Sequence, residues 1–291
     1  MDFQLSEDQR ALKDGFRALL AGRFGREALR AAVGSAEEKE RSLDRRLWRE
    51  LGDAGFFALR LPEADGGVGL GLPEAVLVFE EAGSALLPGP LVATHLAAGE
   101  VKGAATGETV VTDVDGQLVE WLAEADHVRG DASGARAIRS VDPLTPLHRV
   151  GSAQTGISDA AVLLTAALQL GSAGRTTAMA VKYAGEREQF GQPIGAFQAV
   201  KHLCAQMLVR TELARAAVYA ASVTGEGLDA AGAKLLADDA AVRNARDCLQ
   251  VYGGMGFTWE ADVHLHLKRA WVRSAQGPTA AQVEERYAAA L

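Results

Sequence analysis

The sequence predicts a mostly α fold of the α+β kind: a helical N-terminal domain, a truncated β segment in the middle, and a C-terminal bundle of four-helix type. Three observations support this. Apolar residues recur at helical spacing over both ends of the chain. Strand-like stretches with turn residues between them are confined to residues 103–154. Hydrophobic residues make up 48% of the 291, enough for a sizeable core and an argument against wholesale disorder. The expected division is 1–102, 103–154 and 155–291.

The first helix opens at Ser6, a natural N-cap, with Gln9 three residues on as the other half of a capping box. Phe16, Leu19, Leu20 and Phe24 follow at helical spacing. A second helix carries Leu47, Trp48 and Leu51 and ends at Gly55, before the turn-rich stretch 61–69. Residues 73–83 form the next helix, and Pro88-Gly89-Pro90 separates it from a helix over 91–98. In the middle segment, 109–112 and 117–121 read as strands joined in a hairpin about Asp115-Gly116, with 137–141 a further strand. This block has too few apolar residues for a core of its own. Helical patterns return over 159–184, 196–224 and 229–252, broken at 191–195 and 225–227, as in an antiparallel bundle.

Composition excludes several function classes. A net charge of −8 argues against nucleic acid as the main partner, although a local field can still hold an anionic ligand. No apolar run approaches the roughly 20 residues that cross a bilayer. The start at Met1 has no basic or apolar leader, so a cytoplasmic protein is expected. Cys204 and Cys248 are expected as buried thiols rather than a disulfide. His264 and His266 point apart on a helix, unlike the i, i+4 pair that binds metal, so no metal site is expected.

Two motifs carry chemistry. In Arg187-Glu188-Gln189-Phe190-Gly191, followed by Gln198, an arginine at a helix end can make bidentate bonds to a phosphate. Phe190 and Gly191 offer an apolar wall and a close backbone approach. An ordinary helix terminus reads the same way. In Gln250-Val251-Tyr252-Gly253-Gly254-Met255-Gly256-Phe257 the glycines admit a ligand close to the backbone. A helix precedes them, which argues against a dinucleotide fingerprint after a strand. A helix C-cap with a glycine turn is the plainer alternative.

Taken together, and separated by a long helix pair, the two motifs resemble the C-terminal domain of the acyl-CoA dehydrogenase family. Phe3-Gln4-Leu5-Ser6, and residues 59–70 with Pro62-Glu63 and Gly66-Gly67-Val68-Gly69, are similar to that family's opening helices and connecting loop. The resemblance covers roughly 1–100 and 155–291 and implies FAD as cofactor. It implies that Arg187 and Phe190 contact the pyrophosphate and adenosine half of the flavin. Gln198 and Gln250 match polar positions at that half, and Gly253 and Gly254 match its close-approach glycines. In the family these contacts reach across a dimer interface to a flavin held mainly by the neighbouring subunit. The implied reaction removes a proton from Cα of an acyl-CoA while Cβ gives a hydride to the flavin. A trans-2-enoyl-CoA results, with an electron-transfer flavoprotein as acceptor.

The chain also departs from the family. The catalytic carboxylate has two family positions, and they fall here on Gly277 and Ala161, with Val162 where an arginine is expected. The middle segment lacks the family's Thr-Glu-Pro loop and its tryptophan segment, and the lone Trp121 reads as a packing residue in a strand. Glu188, Glu260, Glu284 and Glu285 are poor candidates for the base, and Asp159 enters only if the alignment shifts. The expectation is a subunit of an α2β2 complex whose homologous partner supplies the catalytic glutamate. Such an arrangement is similar to actinobacterial sterol-degrading enzymes, which makes a steroid side-chain acyl-CoA the expected substrate. A stand-alone flavoenzyme with an unrecognised base and a catalytically dead scaffold are the other readings.

Overall fold

The computed structural model describes residues 4–37, 43–151 and 157–290. Phe3 of the opening motif and the expected boundary at 154/155 lie outside them. Helix α1 (Glu7–Arg23) starts with the expected capping box: Ser6 Oγ accepts from the Gln9 amide at 3.1 Å, and the Gln9 side chain accepts from the Ser6 amide at 3.0 Å. Helix α2 (Arg26–Glu37) did not stand out in the sequence, because Leu29 and Val33 are its only large apolar residues. Helix α3 (Arg45–Asp53) is capped by the Asp44 carboxylate and buries Leu47, Trp48 and Leu51. Helices α4 (Leu72–Ser84) and α5 (Leu91–Leu96) follow.

The middle segment holds five three-residue strands: β1 (Val111–Asp113), β2 (Leu118–Glu120), β3 (His127–Arg129), β4 (Arg136–Ile138) and β5 (Leu147–Arg149). The expected hairpin is not formed. Strand β1 pairs with β3 in parallel, while β2 and β4 flank β5 antiparallel. A tight hairpin turn needs positive φ at its central residues, and neither Asp115 nor Gly116 adopts it. Trp121 is buried as expected, but it lies just past β2 with φ of +56°, outside the strand.

Helix α6 (Asp159–Glu186) leads through a two-residue hairpin, β6 (Glu188–Gln189) and β7 (Gln192–Pro193), into α7 (Gln198–Thr224). Gly225, at φ +69°, turns the chain into α8 (Gly227–Tyr252), and α9 (Val263–Ser274) and α10 (Ala280–Ala290) complete it. The architecture is therefore mostly helical with a small β component, as the sequence predicted. Among the described residues no helix is long and apolar enough to cross a membrane. Cys204 and Cys248 are both free.

One apolar core runs through α1, α3 and α4 and on into α6, α7, α8 and α9. It depends on a close crossing of α4 and α6. A Cβ on Gly83 would lie 2.0 Å from the Leu168 carbonyl oxygen, and one on Gly171 only 1.8 Å from that of Glu80. Backbone cannot yield as a side-chain tip can. Gly171→Ala is expected to lower unfolding stability by about 1–3 kcal/mol or more, the range for an overpacked core. Chemical denaturation, with Gly174→Ala as the roomy control on the same helix, measures it.

Candidate functional site

The three long helices bring both sequence motifs to one end of the bundle. Tyr183, in the last turn of α6, stacks on Tyr252, the last residue of α8, with ring centroids 4.1 Å apart and planes within 15°. The start of α7 joins them: Phe197 and Val200 pack with Tyr183, Ile194 and Val251 over a separate small apolar cluster. Arg187 therefore caps α6 beside the glycine turn that ends α8. Gln198 is the first residue of α7, and Gln250 lies in the last turn of α8.

This end faces outward. Phe190 is 91% exposed in a left-handed conformation, φ +54°, and touches its own chain through an edge contact to Phe197 with ring centroids at 6.1 Å. The Arg187 side chain is exposed and takes no ion pair among the described residues. Gly253 needs its glycine for a φ of +57°, but Gly254 does not have positive φ, and a Cβ there would meet nothing within 4 Å. The chain's own packing does not call for a glycine at 254. A free cation, an exposed aromatic ring and an uncrowded glycine turn form a surface suited to a phosphate-bearing aromatic ligand approaching from outside.

The two positions where a base would stand, Ala161 and Gly277, also come together, in a different place. Both line a cavity of about 60 Å³ between the start of α6, β2 and the loop after α9. Larger hollows adjoin it, about 460 Å³ past Ala161 and Asp115 and about 580 Å³ past Gly277 and Gln276. The walls of the smaller cavity are polar, with Glu120, Lys234 and Arg273 among them. Lys234, 1% exposed, is paired with Asp238 and reaches the Arg273 carbonyl at 3.4 Å. Gln169 donates to Asp238 at 2.8 Å and to the Ala270 carbonyl at 3.1 Å. Gln276 donates to Glu120 at 3.4 Å. One turn before Arg273 on α9, Arg269 is held by Asp142 and by the Leu87 carbonyl at 3.2 Å.

Burial dominates the electrostatics here. It pushes the Glu120 and Asp238 carboxyls up, against the pull of Arg273 and Lys234 respectively. Burial, then the neighbouring Arg269 charge, brings Arg273 down to about 9. Asp115, at the mouth, is raised to about 6 by burial and then by Asp113. Lys234, Arg273 and Glu120 were missed in the sequence. The first had a signal: a lysine amid Ala230, Ala231, Ala233 and Ala237 sits on a helix face too apolar to be solvated.

The remaining sequence candidates are dispersed. Glu188, Glu260, Glu284 and Glu285 are exposed, and so is Asp159. His266 is buried against the Ser172 hydroxyl at 2.8 Å, and burial lowers it to about 3. His264 stacks on Trp259 at 4.4 Å.

Comparison with known proteins gives this arrangement a family. Residues 6–108 match the acyl-CoA dehydrogenase N-terminal domain, and residues 153–285 match the acyl-CoA dehydrogenase C-terminal domain. The chain belongs to the acyl-CoA dehydrogenase family. It is 36% identical to acyl-CoA dehydrogenase IpdE2 of Mycobacterium tuberculosis, over 91% of each chain. In fold it is similar to the ChsE4-ChsE5 complex of the same organism, with TM-score 0.83 at 24% identity over 99% of this chain and 98% of that one. It is also similar in fold to the steroid ACAD Tcur3481-Tcur3483 (G363A variant), with TM-score 0.82 at 24% identity over 96% of each chain. Structural neighbours in the family bind FAD.

Gly277→Glu is expected to add no dehydrogenase turnover, because its side chain would enter beside Lys234, whose Cε lies 3.4 Å from the added Cβ. The left-handed backbone at Gly277, φ +73°, adds a stability cost of about 1–3 kcal/mol. Turnover of the purified complex and thermal denaturation of the variant check both halves.

Proposed function

We propose that this chain is a subunit of an FAD-dependent acyl-CoA dehydrogenase that supplies the adenosine and pyrophosphate side of a flavin site while a homologous partner supplies the catalytic glutamate. The contrast between the two ends of the bundle supports this reading most directly. The end carrying Arg187, Phe190, Gln198, Gln250, Gly253 and Gly254 is open, with a cation and an aromatic ring that their own chain leaves largely unused. The pocket at Ala161 and Gly277 is lined instead by buried charge, with Lys234 paired to Asp238.

A bound FAD would supply the acceptor for the hydride that leaves Cβ of the acyl group. The accompanying proton must leave Cα for a carboxylate, and neither base position of this chain holds one. On this reading Arg187 would bond pyrophosphate oxygens and Phe190 would cover the adenosine face. Gln198 and Gln250 would bond the polar edges, and Gly253 and Gly254 would let the backbone come close.

A homologous partner also accounts for an exposed apolar stripe on α7. Leu208, Val209 and Leu213 are each more than half exposed at helical spacing, an arrangement that marks an association surface. An α2β2 assembly with an electron-transfer flavoprotein as acceptor is the simplest form. The likeness to the steroid ACAD Tcur3481-Tcur3483 supports a steroid side-chain acyl-CoA as substrate, and a cytoplasmic setting is part of this reading. The division at 1–102, 103–154 and 155–291 belongs to the same reading.

Glu120 supports a second reading, since its carboxylate lines the cavity beside both vacated base positions. It would make the chain a flavoenzyme with its own base. Its engagement with Arg273 and Gln276 favours a structural role instead.

Three tests follow from the first reading. The chain purified alone should be flavin-free by visible absorbance and become yellow with its co-expressed partner; a yellow, active homo-oligomer would overturn it. In the complex, Arg187→Ala should weaken FAD retention roughly tenfold or more, as loss of a charge-assisted phosphate contact does, while Glu260→Ala should not. Replacing Glu120, Glu188, Glu260, Glu284 or Glu285 by Gln, or Asp159 by Asn, should leave turnover within about tenfold, whereas loss of a general base costs on the order of 10²–10⁴. Abolished turnover with FAD still bound in any of these six variants would place the base in this chain.

A further inference from the structure

The segment after the glycine turn is held by a helix from the other end of the chain. Arg26 and Arg30, one turn apart on α2, face residues 259–262. Arg26 Nη2 donates to the Glu260 carbonyl at 2.7 Å and its Nε to the Asp262 carboxylate at 2.8 Å. Arg30 Nη2 donates to the same Glu260 carbonyl at 2.9 Å, and its Nη1 to the Trp259 carbonyl. Arg30 also pairs with Asp262. Two guanidinium groups thus bind two consecutive backbone carbonyls and the carboxylate that opens α9.

The rest of this segment is anchored lightly. Phe257 is 84% exposed, and Met255 and Trp259 are each 47% exposed. The Trp259 ring is fixed between His264 and the Lys268 ammonium, which lies 4.3 Å from its centroid. Its backbone, however, is tied to the N-terminal helices through the two arginines. Between Gly253 and Phe257 the chain is a short 3₁₀ turn, closed by the Thr258 amide and hydroxyl on the Met255 carbonyl at 3.1 and 2.8 Å. Whatever fixes residues 259–262 fixes where that turn can lie.

We infer that Arg26 and Arg30 are positioning residues for the glycine turn, so that the N-terminal helices set the affinity of the cofactor surface at the end of the C-terminal bundle. The inference rests on the flavin reading of that surface given above. The bonds lie at the rim of the fold, with Arg26 exposed and Arg30 and Asp262 half-buried, so their loss should cost only modest global stability. It should instead leave the turn to be ordered when ligand binds, and that ordering weakens affinity. A residue that merely held the fold together would show the opposite pattern.

The test uses the co-purified complex and free FAD as the probe. The double variant Arg26→Ala/Arg30→Ala should weaken FAD binding about tenfold by fluorescence titration, while the melting temperature of the FAD-stripped complex stays within about 2 °C of wild type. Amides of residues 253–262 should exchange faster in the variant chain, with or without cofactor. Arg30→Lys keeps the charge but cannot span both carbonyls, and should fall between. Arg46→Ala, which removes an exposed helix arginine whose one ion pair among the described residues is with Glu50, should change nothing. Arg187→Ala separates the two levels. If it leaves FAD affinity unchanged, the flavin reading itself fails. If Arg187→Ala weakens binding and the double variant keeps wild-type affinity or exchange, the positioning role is overturned. A fall in melting temperature of the stripped complex large enough to explain the lost affinity would overturn it as well.

Discussion

The close approach of α4 and α6 is the constraint on which the rest of this structure depends. Two glycines, Gly83 and Gly171, let the backbones meet, and the apolar core spreads from that crossing into both ends of the chain. The same crossing buries Glu80 and Glu81 in α4. Burial opposes the Glu80 charge, yet Lys13 and Arg215, with the Tyr219 hydroxyl at 2.6 Å, hold its carboxyl below the usual range. Glu81 receives both arms of Arg17 at 2.8 and 2.9 Å. Each buried carboxylate therefore finds donors from α1 or α7, and the helices of the N-terminal region are tied to the bundle by charge as well as by packing. Removing one partner from such a cluster costs more than the pair contributes, because it leaves an uncompensated charge out of water.

A similar rule governs the cavity at Ala161 and Gly277. Side chains that are buried and charged must be matched, and here Lys234 is matched with Asp238 and Arg269 with Asp142, while Arg273 feels the charge of Glu120 but forms no ion pair among the described residues and keeps its Nη1 without a hydrogen-bond partner. Where the pairs are complete, around Asp238 and Asp142, the region packs as core. The opposite end of the bundle shows the reverse economy of interactions. Its arginine is unpaired among the described residues, its phenylalanine is in water, and its glycines are uncrowded. Stability explains the first region well and the second poorly. A surface that its own chain does not need is the stronger pointer to a ligand or a partner.

The α2 arginines link these themes. They reach from the N-terminal helices to a loop some 230 residues on and hold carbonyls that no regular element would satisfy. Long-range bonds of this kind let the N-terminal helices influence the surface around the glycine turn, through backbone position rather than through charge.

Much of this was legible from local patterns. The capping box at Ser6, the long bundle helices and the two glycine-containing motifs are written in spacing and in residue type, since helix period and left-handed turns constrain nearby residues only. The family resemblance was legible for the same reason. Strand pairing was not. The chain contains strand-forming residues on both sides of Asp115-Gly116, but β1 finds its partner in β3 and β2 in β5, because pairing is decided by distant backbone and not by the turn. Nor could the sequence show that Tyr183 stacks on Tyr252, that Arg26 and Arg30 reach Glu260, or that Glu120 meets Arg273 in the cavity. The sequence alone determined the elements and the chemical groups available to them. The tertiary structure decided which groups face each other and which face water, because burial and pairing depend on contacts between segments that no local pattern encodes.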